Sequence, residues 1–216
     1  METPVKQDES LPRAAFLLAF DLRKERLANR GELGYLLRAA ALAELLLEGS
    51  LADESGKARA VRPPAGAPKG SLRTLVWEQV SASRPRSWRH WVGKDHAKTV
   101  RLVRDELAAD RLVKVERHRV LFVPVERVVP RKAYLTRRLA ERVGRAIRGG
   151  GSVERLERDV RVLAALAAAA RMKDVLGRRE AHLRRQRIEQ LAAPVEPVTT
   201  ALRKSIEAAR SSAAGG

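Results

Sequence analysis

Residues Val100–Val125 read VRLVRDELAADRLVKVERHRVLFVPV, and the organisation of the chain turns on them. Val100, Val103 and Leu107, followed by Leu112, keep close to the spacing of one helix face. The pattern then changes to strand chemistry. Leu112, Val113 and Val115 form one β-rich run and Val120 to Val125 another, with the polar Glu116-Arg117-His118-Arg119 between them. This predicts a helix running into a β-hairpin over residues 112–125, with the basic Arg-His-Arg at its tip. Arg101 and Arg104 are three apart on that helix, so both project from one side. Two guanidiniums beside an apolar return strand suit recognition of a phosphate near an apolar surface.

Upstream, Leu33 to Glu48 reads LGYLLRAAALAELLLE and ends at Gly49, a natural residue just past a helix C-terminus. The segment is apolar nearly all round, which predicts a buried central helix. Glu44 and Glu48 fall on one side, four apart. Arg38 has Ala41 and Leu42 at i+3 and i+4, so it has no acid on its C-terminal side. A buried guanidinium without a local partner needs one elsewhere, either a protein carboxylate or an anionic ligand.

The remaining patterns predict further helices. These cover Leu11 to Leu27, Leu72 to Ala82, Pro130 to Ile147, Val153 to Leu176, Arg178 to Ala193 and Thr199 to Ala209. Trp88 and Trp91 are spaced for one helix face and read as core. Residues 53–71 are rich in Pro, Gly and charge and predict a mobile surface loop, with one short strand at Ala58 to Val61. Residues 1–10 are expected to be disordered and 211–216 to be a flexible tail. The fold class is therefore mostly α: a single globular helical domain over 11–210 with one small β-hairpin.

Composition agrees. The chain has 216 residues, 44% hydrophobic and 4% aromatic, so its core must be chiefly Leu, Val and Ala, which favours helices. Net charge is +18 and the sequence pI is near 11.3. That excess attracts polyanions, either nucleic acid or an anionic membrane face. Arg outnumbers Lys 34 to 10, a bias that suits a GC-rich bacterial genome. Cysteine is absent, so disulfides and thiolate metal sites are excluded. The polar start METPVKQDES is no signal or transit peptide, and no apolar run reaches the ~18 residues of a membrane span. The expected place is cytoplasmic, peripheral on the inner face of a membrane.

No catalytic group, metal site or cofactor is expected. His90, His96, His118 and His182 are scattered, and Gly149-Gly150-Gly151 lacks the Lys-Ser/Thr of a phosphate loop. Arg178, Arg179, Arg184, Arg185 and Arg187 read as a solvated face. A helix followed by a hairpin is also how a winged-helix DNA-binding module ends, and that is the alternative function. Against it, the helix before the hairpin lacks the Asn, Gln and Ser that read base edges.

Three runs carry a resemblance. Leu36 to Leu51 (LLRAAALAELLLEGSL), the VRLVRDELAADRLVKVERHRVLFV run, and Asp159 to Leu176 (DVRVLAALAAAARMKDVL) are similar, in order and spacing, to segments of the Golgi phosphoprotein three family. The likeness covers about Leu11 to Ala209. It implies a non-enzymatic helical domain that binds phosphatidylinositol 4-phosphate on membranes and, in eukaryotes, retains glycosyltransferases at the Golgi. By the same resemblance, Arg38, Arg101 and Arg104 are the headgroup-binding arginines. The hairpin would serve membrane insertion through Leu121, Phe122 and Val123, and self-association. Membrane enzymes are the implied clients. The family's binding-site tryptophan falls on Asn29 and its Gly-Gly on Ala39-Ala40.

Overall fold

The computed structural model describes residues 10–28, 30–120, 123–172, 175 and 178–215. Leu11–Leu18 forms α1, with Pro12 in the first turn, where its missing N–H costs nothing. The pattern predicts this helix as far as Leu27, and the structure corrects that. Asp21 Oδ1 accepts the backbone N–H groups of Arg23 (2.9 Å) and Lys24 (3.1 Å), a local turn that competes with the helix ladder. Phe20–Asp21 (β1) and Arg26–Leu27 (β2) pair across that turn.

Arg30–Leu47 is α2, and it is buried on all sides. Ala39, Ala40, Ala41, Leu42 and Ala43 are fully buried. Small side chains let neighbouring helices come close. The helix ends as its sequence predicts, with Gly49 at φ 72°. Ser50 N–H donates to the Leu45 carbonyl (2.9 Å) and Gly49 N–H to that of Leu46 (3.1 Å), which is a Schellman cap.

The predicted loop of 53–71 is a hairpin in its first half. Leu51–Glu54 (β3) pairs with Lys57–Ala60 (β4). Ser55 and Gly56, at φ 51° and 79°, form the two-residue turn with positive φ at both positions that matches strand twist. Arg86–Ser87 (β5) extends this sheet. Leu72–Ser81 (α3) begins at Ser71, whose hydroxyl accepts Thr74 N–H. In Trp88–Gly93 (α4) both Trp88 and Trp91 are buried core residues, as their spacing suggests.

His96–Ala109 is α5, burying Thr99, Val103 and Leu107. Arg111 at φ 56° ends it, with Leu112 N–H on the Leu107 carbonyl (2.9 Å). The hairpin that follows is longer than the sequence indicates. Val113–Val120 (β6) pairs with Val123–Pro130 (β7), from Val113 opposite Pro130 to Val120 opposite Val123. Arg117, His118 and Arg119 are therefore strand residues within β6, opposite Glu126, Val125 and Pro124, and not a tip. The polar run Glu116–Arg119 looks like a turn because it is charged, but its backbone continues the ladder as far as Val120. Among the described residues of the hairpin, Val113, Val128 and Pro130, all near its base, are buried.

Ala133–Arg148 forms α6. The helix predicted over 153–176 is shorter: a 3-10 turn at Val153–Arg155, an extended Glu157, then α7 at Arg158–Ala169. Arg171 at φ 52° closes α7, with Met172 N–H on the Ala167 carbonyl (3.1 Å). Residues 178–193 divide at Arg184 into α8 (Arg178–Leu183) and α9 (Arg185–Ala192). Pro197 sits in the first turn of α10 (Glu196–Ala214), which takes in most of the expected tail. The whole is mostly α, one helical domain with small antiparallel sheets.

α2 is the hub, packing against α1, α3, α4, α5, α7 and α10. Its approach to α5 is closest at Gly34, where a Cβ would stand 2.1 Å from the His96 carbonyl oxygen. The next residue, Tyr35, stacks on the ring of the same His96, centroids 3.9 Å apart. Gly34→Ala is therefore expected to force two backbones apart and lower stability by roughly 1–3 kcal/mol, read as a lower urea midpoint. An unchanged midpoint would show that the crossing is loose.

Candidate functional site

Arg38 lies on α2 and is 1% exposed. Its Nε donates to the Trp91 carbonyl oxygen of α4 (2.9 Å) and its Nη1 to Gln79 Oε1 of α3 (2.9 Å). Gln79 in turn donates from Nε2 to Asp95 Oδ2 (3.3 Å). The nearest carboxylate thus acts at one remove. Arg38 Nη2 is buried and has no hydrogen-bond partner among the described residues. Burial draws the guanidinium down to about 10, with Asp95 opposing, so it stays charged at neutral pH.

Arg101 and Arg104 lie on α5, which packs directly on α2. Their settings differ from that of Arg38. Arg101 is exposed and has no ion pair among the described residues. Arg104 is half-buried, with Nε on Asp105 Oδ1 (2.8 Å) and Nη1 on Glu126 of β7. Arg38 is turned toward α3 and α4, Arg104 toward the hairpin. The three arginines sit on adjacent helices, but among the described residues they share no acceptor. Asn29, Leu121 and Phe122 lie outside the described residues. Val123 pairs with Val120 at the last rung of the hairpin.

Two cations that act on His90 carry no signal in the sequence. His90 is held below its ordinary value first by desolvation, then by Arg86, Lys94 and Arg38. A positive field therefore surrounds the outer end of α4. Arg86 and Lys94 flank α4 and carry no motif, and the packing of α4 on α2 adds Arg38 to the cations acting on His90.

A second polar region lies at the other end of α2. Arg73 bridges Glu44 (2.9 Å) and Glu48 (2.6 Å), and Glu44 Oε2 accepts the Leu11 N–H (3.1 Å). These groups line a cavity of about 560 Å³ with Arg13 and Glu106. Among the described residues, no cluster of His, Cys, Asp and Glu could hold a metal ion. No described helix is long and apolar enough to cross a membrane.

Burial pushes the Glu44 carboxyl up to about 7, against the pull of Arg73. Its folded-state pKa lies above the unfolded value, so the folded chain retains a proton that the unfolded chain has lost. That contribution is full below the unfolded pKa and is lost as pH rises to about 7. The urea midpoint of the native chain, measured against Glu44→Gln, should therefore fall between about pH 5 and about pH 8. A flat difference across that range would show that Arg73 keeps Glu44 ionised throughout.

With this geometry in view, comparison with protein families gives a match over residues 11–209 to the family described as Golgi phosphoprotein 3 (GPP34). Comparison with curated proteins gives no match. The matched region runs from the start of α1 into α10, and includes Arg38, Arg101, Arg104 and the hairpin. The chain belongs to the Golgi phosphoprotein 3 (GPP34) family.

Proposed function

We propose that this protein is a peripheral membrane module that holds phosphatidylinositol 4-phosphate, or a similar anionic phospholipid, by its phosphorylated headgroup. Arg38, Arg101 and Arg104 supply the charge-assisted hydrogen bonds. The observation that carries this reading is the Arg38 guanidinium. It is fully desolvated on the central helix, remains charged, and keeps one donor nitrogen without an acceptor among the described residues. A buried cation of this kind is costly unless an anion completes its shell.

The neighbouring helix adds Arg101, which has no ion pair among the described residues, and Arg104, which is held by carboxylates. Binding then means exchange: a headgroup phosphate takes Arg104 from Glu126. Leu121, Phe122 and Val123 of the hairpin enter the membrane interface. Basic residues around them each add ~1 kcal/mol on an anionic surface. Membrane enzymes gathered as clients, and self-association through the hairpin, are part of the same proposal. The winged-helix alternative needs an open recognition helix. α5 buries Thr99, Val103 and Leu107 and exposes Ala97, Lys98, Arg101, Asp105 and Ala109, a face without the Asn, Gln or Ser that read base edges.

The test uses the α5 arginines, because removing Arg38 would also strip Trp91 and Gln79 of their donor. Arg101→Ala with Arg104→Ala is expected to abolish cosedimentation with vesicles containing phosphatidylinositol 4-phosphate, while helical circular dichroism stays unchanged. Undiminished binding by that double variant rejects the site. Saturable, sequence-preferring retardation of duplex DNA at moderate salt would instead favour the DNA-binding alternative. Glu126→Gln removes one of the two carboxylates that hold Arg104 and should tighten vesicle binding a few-fold. Weaker binding by that variant would mean that Glu126 positions Arg104 for the lipid.

A further inference from the structure

A groove of about 400 Å³ lies between α6, α1 and α7, beside the base of the hairpin. Leu17, Leu112, Leu135, Leu139, Val160 and Leu163 make it apolar. Leu112, Leu135 and Leu139 are only half-buried, so the helices do not close over it. Within this apolar lining stands one polar group, Thr136. The residue is 2% exposed and its hydroxyl has no hydrogen-bond partner among the described residues. A buried hydroxyl in that state costs free energy, so its persistence points to an acceptor brought from outside.

The rim is polarised along α6. Lys132 is one helical turn before Thr136, at the end of α6 where helix N–H groups are free, and Arg138 follows. Both are exposed and neither has an ion pair among the described residues. At the far end Arg142 is taken by Glu157, and Asp159 is also engaged. An anionic head is therefore favoured at the Lys132 end and disfavoured at the other.

We infer that this groove binds a long-chain fatty acid. Its carboxylate meets Lys132 and Arg138 and accepts the Thr136 hydroxyl, and its alkyl chain lies along the leucines. The volume is at the lower end of the ~300–1,000 Å³ typical of ligand pockets, which suits one chain and not two. The inference rests on no part of the headgroup reading, since none of the three proposed arginines lines the groove.

The test is displacement of a dansylated fatty acid by palmitate from the full chain. Palmitate is expected to bind saturably, and hexadecyltrimethylammonium, with the same chain and opposite charge, to bind about tenfold more weakly. Leu139→Arg should block the groove. Lys132→Glu with Arg138→Glu, at exposed positions that leave the core intact, should reverse the preference between the two amphiphiles. Arg101→Ala with Arg104→Ala should leave palmitate binding unchanged, which separates this site from the headgroup site. Equal binding of both amphiphiles, or palmitate binding that survives both groove variants, overturns the inference. So does a dimer that Leu139→Arg dissociates in a chain that does not bind palmitate, because the occupant would then be a second copy.

Discussion

The burial of α2 on every side is the constraint from which the rest of the structure follows. A helix with no solvent face must give each polar group on it a partner from another element, because an unpaired buried charge is prohibitively costly. Glu44 is met by the first N–H of α1 and by Arg73 of α3, and Glu48 by the same arginine. Arg38 is met by the Trp91 carbonyl of α4 and by Gln79 of α3. The charged residues of α2 thus do more than survive burial: they specify where α1, α3 and α4 dock. The alanines between them let the helices come close enough for those bonds to form.

The same constraint grades the arginines. Arg38 is inside, Arg104 is half-buried against acids, and Arg101 is in water. Each would respond differently to an anion. Arg38 offers a preorganised donor whose desolvation is already complete, so an incoming phosphate meets it at full strength. Arg104 must exchange one carboxylate for another anion, which makes Glu126 a competitor. Arg101 adds attraction that salt screens. The hairpin stands apart from this grading: its buried residues among those described, Val113, Val128 and Pro130, lie at its base, while Glu126 and Arg127 tie its middle to Arg104 and Glu25.

Much of the fold is readable in particular residues. The apolar run of Leu33 to Glu48 marks α2, and Gly49 marks its end, because only glycine adopts positive φ without strain. α5 and α7 end by the same capping geometry at Arg111 and Arg171, where no glycine advertises it. That is why the predicted helix over 153–176 ran too long. Asp21 shows the same limit. Its side chain captures two backbone donors and turns the chain, yet an aspartate within an apolar stretch also reads as an exposed helical position. The hairpin is legible as a hairpin, but its register is not. A basic stretch resembles a turn until its strand partner is known.

By itself, the sequence determined the helical class, the buried status of α2, the isolation of Arg38 from any local acid, and the excess of positive charge. These depend on spacing along one helix and on composition, which are local quantities. Only the tertiary structure decided that two of the Arg38 nitrogens are met by a carbonyl and an amide oxygen, that Arg104 is already engaged by Glu126, and that Arg86, Lys94 and Arg38 all bear on His90. It also decided that Thr136 lines an apolar groove, its hydroxyl without a partner among the described residues. Such pairings join residues tens of positions apart. They form only when packing has chosen which helix faces which, and no periodicity within a single segment encodes that choice.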